Sequence, residues 1–405
     1  MLLLLLLLFF LLIVIIDLFP IVKTFLQRIH IGRYSSLDTW SQAVMLRSLK
    51  WVNDTPKVTI TDNNRLIILD ILKKNYSSHT IQHWQHGALL LGLGEYIKIH
   101  GNKEQKINKK VEKFLTKSFS STGEWRDKPE NIDSAILAYA IMKFPGIDMD
   151  KYKPAWDYIC KLIDNHVGEE GTVKYRNVME QYRYVDTIGF ICPFLIFYGN
   201  KYDKPYYIEL AIKQIVEFEN NGFSKKSNLP FHAYNINGSL PLGLNGWGRG
   251  VAWYLLGLMD SWLELPKHHP QKEKLQSLLK SIAKAIMNYQ QPNGSWNWSM
   301  TRDETRSDSS TTAVCSWFLA RVYQLIEEDR KMLASSEKAI QFLQTVTRRN
   351  GSVDFSQGDT KDIGVYSINF GVLPFTQGYC LRAMYCKDHI LDGKRVFNDN
   401  KTNIS

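Results

Sequence analysis

The chain has 405 residues, of which 44% are hydrophobic, 12% aromatic and 22% charged, with a formal net charge of +10; this excludes a disordered or low-complexity protein and allows a large buried core. Its five cysteines (Cys160, Cys192, Cys315, Cys380 and Cys386) contain no C-x-x-C pair, which argues against a disulfide framework or structural zinc site and for buried free thiols. No phosphate-loop, dinucleotide-binding or H-E-x-x-H motif occurs, which removes the common phosphate-loop, dinucleotide and zinc-protease routes and leaves no motif that calls for a metal or cofactor.

Met1 to Ile16 is an uncharged run of Leu, Phe, Ile and Val. With Leu18 to Val22 it is just long enough to cross a bilayer, despite Asp17 and Pro20. It has neither the basic start nor the small-residue cleavage site of a removable signal peptide, so residues 1–22 read as a retained membrane anchor and 23–35 as a basic linker. Lys23, Arg28 and Arg33 lie on the carboxyl side of the run. By the positive-inside rule they leave the globular part cytoplasmic, at a bacterial inner membrane, with an exported form as the alternative.

From residue 36 the chain reads as successive helical segments, with apolar residues at i, i+3, i+4 and i+7 and turn residues between them. They fall at 36–53, 82–100, 105–118, 131–143, 153–165, 183–198, 204–220, 248–264, 271–290, 308–327, 331–347 and 370–385. No block alternates with period two, so a major sheet is not expected. Every second segment is apolar on most faces and rich in Gly and Ala, as an inner helix would be. These inner candidates begin near His83, Asp133, Asp186, Trp247, Asp308 and Phe370, about every 50 to 60 residues. A helix hairpin repeated six times is implied, and closure on itself gives an all-α (α/α)6 barrel over 36–388; an open solenoid is the alternative. Residues 389–405 read as a polar tail. The basic cluster from Lys103 to Lys117 lacks the interleaved exposed aromatics of a single-strand binder, which favours a solvated face over a nucleic-acid surface.

Polar or aromatic residues mark the starts of the inner segments: His83 and His86; Asp133; Tyr184 and Asp186; Trp247 and Arg249; Asp308. In a toroid such ends meet at one rim. Each Asp has a competing explanation as a helix N-cap. Three longer blocks stand out: Tyr182-Arg183-Tyr184-Val185-Asp186-Thr187; Phe231-His232-Ala233-Tyr234-Asn235 followed by Trp247-Gly248-Arg249-Gly250-Val251-Ala252-Trp253; and Gln291-Pro292-Asn293-Gly294-Ser295-Trp296 followed by Asp308-Ser309-Ser310-Thr311-Thr312-Ala313.

In these blocks the chain resembles glycoside hydrolase families 88 and 105, the unsaturated glucuronyl and rhamnogalacturonyl hydrolases, across about residues 82–385. Five family patterns recur in order: aromatic-x-Asp-Thr, an H-G-Y-D-like block, W-x-R-G-[NQ]-x-W, Q-x-x-D-G-x-W and D-x-S-x-[AS]-A. Val251 stands where the family has an amide, and Asn235 where an acid usually closes the second block.

The resemblance implies an (α/α)6 barrel acting on an acidic, uronic-acid-containing saccharide, with Asp186 as general acid and base and Asp133 as the second carboxylate. For one Asp to serve as both, it must start protonated, so its pKa must be raised by a neighbouring carboxylate or by a desolvating aromatic such as Tyr184. Arg249 is the candidate for a two-pronged bond to a substrate carboxylate, and His232 for supplementing it. Trp247, Trp253, Trp125 and Trp296 are candidates to stack on sugar rings, while His86 and Asp308 complete the expected binding rim. Cleavage by paired carboxylates at fixed separation is a different mechanism that these residues also permit. A saccharide-binding or assembly protein of surface-polysaccharide synthesis is the non-enzymatic alternative. Sugar epimerases and prenyl cyclases share the toroid, but the D-D-x-x-D motif of the latter is absent.

Overall fold

The computed structural model describes residues 1–56, 67–72, 82–100 and 105–386. The expected polar tail and Lys103 of the basic cluster lie outside the described residues. Helix α1 (Leu2–Arg28) is long and apolar enough to cross a membrane, and none of it is buried. At 1.5 Å per residue it spans about 40 Å, more than the roughly 30 Å of a bilayer's hydrocarbon core. Over the segment expected as a linker, the helix continues to Arg28 and the residues after it bond the body of the protein. The Gly32 N–H donates to the Thr347 carbonyl at 2.8 Å, and the Tyr34 hydroxyl donates to the Arg348 carbonyl at 2.5 Å.

Six pairs of helices follow, an outer one and then an inner one. They are α2 (Leu37–Trp51) and α4 (His83–His100), with short α3 (Ile67–Leu72) between them; α5 (Gln105–Ser118) and α6 (Ser134–Met142); α7 (Lys153–Asp164) and α8 (Asp186–Lys201); α9 (Pro205–Gly222) and α10 (Gly248–Glu264); α11 (Lys272–Met287) and α12 (Ser309–Leu325); α13 (Arg330–Thr345) and α14, helical over 374–386. Outer helices bury one stripe, as α5 does with Ile107, Val111, Phe114 and Leu115 at helical spacing. Inner helices bury nearly all faces, and every residue of α6 is buried. The twelve expected segments are these twelve helices.

Consecutive inner helices pack side by side from α4 to α12. Helix α14 then closes the ring, stacking Tyr379 on Trp317 of α12 at 5.5 Å and meeting α4 through two glycines. A Cβ on Gly92 would lie 2.4 Å from the Gly378 carbonyl oxygen, and one on Gly378 would lie 2.1 Å from that of Ala88; only glycine permits this approach. The ring is therefore closed, not an open solenoid.

Sheet structure among the described residues is minor: β1 (Tyr182–Tyr184), β2 (Ala233–Asn235) and β3 (Leu240–Leu242) form one antiparallel ribbon, and β4 (Ser356–Gln357) pairs with β5 (Phe370–Gly371). The last inner helix was expected from Phe370. It starts at 374, because Phe370 and Gly371 give their backbone bonds to β4 instead. All five cysteines are free and buried.

Candidate active site

Inner-helix starts and the loops joining them form one end of the barrel, and a cavity opens there. Among its lining residues are Trp84, Tyr184, Asp186, His232, Trp247, Arg249, Trp253 and the segment 359–362. The β1–β2 pairing explains how two of these meet. Tyr184 lies opposite Ala233, so the Val185 N–H reaches the His232 carbonyl at 3.0 Å and the next residue, Asp186, emerges beside the imidazole. His232 Nε2 lies 3.8 Å from Asp186 Oδ2, beyond hydrogen-bond range.

Asp186 opens α8, yet it does not cap it: Oδ2 is buried with no hydrogen-bond partner among the described residues. Burial pushes its carboxyl up to about 7; Arg249 and its own backbone N–H oppose the rise, and Asp359 adds to it. The side chain is 14% exposed, so the group is withdrawn from water but reachable through the cavity. Burial and the Arg249 charge hold the His232 imidazole down at about 3, hence neutral, and its Nδ1 is likewise unpartnered among the described residues. No ion pair therefore joins His232 to Asp186.

Asp133 precedes α6 and makes no cap bond to it. Its carboxylate instead accepts the backbone N–H groups of Trp84 and His83, the start of the neighbouring inner helix, where donors lack intrahelical partners. It is buried and does not line the cavity. Burial raises its carboxyl to about 7 and the Asp359 charge contributes, against those backbone bonds. Asp359 thus raises both expected catalytic carboxyls.

Arg249 differs from expectation. Its Nη1 donates to the Gln357 carbonyl and its Nη2 to the Gly358 carbonyl at 2.6 Å and the Thr360 hydroxyl at 3.3 Å. The guanidinium fork grips the two carbonyls just before Asp359 and the Thr360 hydroxyl just after it. Trp247 joins it, donating Nε1 to Gln357 Oε1 at 3.0 Å, while Gln357 Nε2 reaches the Ser367 carbonyl at 3.0 Å and ties the strap's ends together. Trp247 also packs on His232 with ring centres 4.4 Å apart, and Trp253 packs on Trp84, Phe190 and Phe375 beneath. Tyr184 donates its hydroxyl to Met179 Sδ at 2.8 Å and Asp362 Oδ1 at 3.4 Å, and its ring stands edge-on to His232.

Besides Asp133, four other expected site residues lie away from the cavity. His86 packs on Phe114 of the outer helix α5 with ring centres 5.0 Å apart, between the layers. Trp125 packs on Phe119 and Trp156 and donates to the Ala155 carbonyl at 3.1 Å; Trp296 is fully buried and donates to the Ile286 carbonyl at 2.8 Å. Asp308 is an N-cap: its carboxylate accepts the N–H groups of Ser310 and Thr311, both their hydroxyls, and the Gln357 N–H at 2.9 Å. That last bond fixes the strap from below. Val251 and Asn235 are also off the cavity; Val251 is in the core and Asn235 accepts the Asn237 N–H in the β2–β3 turn.

Missed in the sequence were Trp84, Tyr175, Arg176, Phe190 and the strap residues Asp359 to Asp362. Trp84 and Phe190 were findable as aromatics within a turn of an inner-helix start. The strap has no periodicity to mark it; its two acids and a lysine between Gly358 and Gly364 were the available sign.

Residues 58–383 match Glycosyl Hydrolase Family 88. Among solved structures, the chain is similar to a possible member of family GH105 from Salmonella enterica serovar Paratyphi A (TM-score 0.72, 18% identity, 88% of this chain and 95% of that one). It is similar to an unsaturated glucuronyl hydrolase specific for heparin (TM-score 0.66, 15% identity, 88% and 98% covered). It is also similar to the unsaturated glucuronyl hydrolase of Bacillus sp. GL1, described as responsible for glycosaminoglycan degradation (TM-score 0.60, 14% identity, 85% and 95% covered).

Proposed function

The chain belongs to glycosyl hydrolase family 88, and we propose that it hydrolyses a saccharide ending in a 4,5-unsaturated uronic acid, with Asp186 as both acid and base. The supporting observation is a buried carboxyl beside aromatic walls, with a pKa of about 7 and an Oδ2 that has no partner among the described residues. A group poised there carries enough of its acid form at neutral pH to donate a proton and enough of its base form to accept one.

In this reading the Asp186 acid protonates C4 of the C4=C5 bond, and the positive charge that develops spreads over C5 and the ring oxygen. The carboxylate left behind then takes a proton from water as its oxygen bonds C5. Asp186 is thereby restored, and the hemiketal opens to release the neighbouring sugar. Asp133, held against the start of α4, is the second carboxylate. His232, uncharged, serves as a hydrogen-bonding partner for the ring hydroxyls and not as a cation; Trp247, Trp253 and Tyr184 supply the walls. The likeness to glucuronyl hydrolases supports the acidic saccharide as ligand, and α1 supports attachment to a membrane, with Lys23 and Arg33 favouring a cytoplasmic body.

The test is loss of enol-ether absorbance from a panel of unsaturated uronyl disaccharides. Turnover that disappears in Asp186→Asn while saccharide binding persists is the expected result. Equal turnover by that variant removes Asp186 from the chemistry, and no turnover by the folded parent transfers the function to saccharide binding. A carboxyl-terminal reporter active only outside the cytoplasm would reverse the orientation.

A further inference from the structure

The base of α1 is bolted to the barrel, at a specific place. Arg28 donates Nε to Asp354 Oδ2 at 2.7 Å and Nη2 to Asp354 Oδ1 at 3.0 Å and to the Phe370 carbonyl at 3.1 Å, and its guanidinium lies over the Phe355 ring. Asp354 is wholly buried and also holds Arg348 at 2.7 Å. Asp354 takes hydrogen bonds from both guanidinium groups, and without it the two arginines would face each other with no counter-charge. Asp354 precedes β4, and Gly358, gripped by Arg249 in the cavity wall, is four residues further on, at most about 14 Å of chain. Arg28 itself follows Val22, the end of the apolar run, by about 9 Å of helix. The anchor therefore meets the protein at the cavity end of the barrel.

A second observation concerns that same end. The loops around the mouth expose apolar side chains: Val178 (88% exposed), Ile368 (72%), Leu240 (59%) and Val365 (49%). On these and the neighbouring loops exposed Arg176, Arg302, Arg306 and Lys361 alternate with exposed Glu180, Asp303, Glu304 and Asp362, so the surface carries charges of both signs. At the far end Tyr206, Leu325 and Leu263 are exposed by 55%, 42% and 37%. Apolar tips among charges of both signs, beside the base of an apolar helix, suit the headgroup zone of a bilayer.

We propose that the cavity face of the barrel lies against the membrane surface, so that the enzyme acts on acidic saccharide chains carried at that surface. The inference rests on α1 being a retained anchor. A flexible tether would let the body turn freely; the Arg28–Asp354–Arg348 cluster prevents that and fixes the mouth towards lipid.

Fluorophores on the full chain at Leu240→Cys or Lys267→Cys would decide it, since the five native cysteines are buried. Lys267 follows α10 at the opposite end, about 25 Å away by the length of that helix. The chain is placed in vesicles of zwitterionic and anionic phospholipid carrying a headgroup acceptor dye. Energy transfer several-fold stronger from position 240 than from 267 is expected. Equal or reversed transfer, from chains that float with the vesicles, overturns the orientation alone. Chains that do not float overturn the anchor, and the orientation falls with it. A Val178→Asp, Ile368→Asp double variant should still float yet lose much of the transfer from position 240; undiminished transfer would remove these side chains from lipid contact and overturn the face assignment.

Discussion

Both ends of the barrel bury carboxylates, and the pair expected to be catalytic is treated in the opposite way to the pair at the far end. At the far end Arg382 holds Asp260 with two bonds of 2.8 Å and Glu95 with a third, and Arg321 adds a contact to Glu95 at 3.3 Å. Burial alone would raise Glu95, but the two arginines outweigh it and its carboxyl sits below the ordinary value. At the cavity end the nearby arginine spends its hydrogen bonds on backbone carbonyls, and Asp186 and Asp133 rise to about 7. The same desolvation makes a structural brace at one end and a titratable acid at the other; the difference is whether a guanidinium faces the carboxylate.

Breaking the brace gives the largest expected effect. Arg382→Leu leaves Asp260 and Glu95 buried without their main partner, which should cost about 3–5 kcal/mol in chemical denaturation. The cavity lies at the other end of the inner helices, so specific activity of the protein that stays folded should change little. A loss of activity exceeding the unfolded fraction would show that the two ends are coupled.

Next is the sign of the pH dependence, which differs between the ends. Asp186 binds its proton more tightly folded than unfolded, so its contribution is favourable at low pH and is lost as pH rises from about 4 through about 7. Glu95 is the reverse: its lowered pKa contributes stability above the unfolded value of about 4.3, and this is lost as pH falls through the folded one. Asp186→Asn should therefore be more stable than the parent at pH 8, by about 1–3 kcal/mol, with the gain vanishing near pH 4. Turnover by the parent should fall above about pH 7 as the acid form is lost. A variant no more stable at pH 8 would mean that Asp186 is not strained by burial.

Arg249 sharpens the comparison because its charge and its fork are separable. Arg249→Lys keeps the charge but cannot hold the Gln357 and Gly358 carbonyls together; about tenfold loss in kcat/KM is expected, with the alkaline limb unmoved. Arg249→Met also removes the charge that holds Asp186 down, so its limb should shift to higher pH. If both variants change only KM, Arg249 acts on substrate alone and the strap bonds are incidental.

The barrel was legible because its signal is repetition: one-sided stripes on the outer helices, all-round apolar inner ones, and polar starts at a regular interval. The site was legible where chemistry coincides with that repetition, as with Asp186, Trp247 and Arg249, or with a strand beside it, as with His232. It was not legible where a residue type has two uses. Asp308 satisfies donors at its own helix start and Asp133 those of the helix beside it, while Asp186 takes only its own N–H and leaves Oδ2 without a partner among the described residues. The sequence around each is equally suggestive. Asp359 was invisible for another reason: it reaches the cavity on a strap whose position is set by Arg249, Trp247 and Asp308 from distant helices.

His86 and Trp125 supply the smallest expected effect. His86 lies on the seam with α5, and His83, about one turn before it, stands edge-on to Trp125, so neither ring lines the cavity. Burial and the neighbouring His83 hold the His86 ring at about 4, neutral throughout the working range. His86→Phe preserves a flat ring against Phe114, and Trp125→Phe preserves most of the packing with Phe119 and Trp156 while losing one hydrogen bond to Ala155. Each should cost no more than about 1–2 kcal/mol of stability and leave kcat and KM at parental values. A selective rise in KM for His86→Phe, with stability intact, would place the ring in contact with saccharide and extend the cavity past Trp84 towards α5.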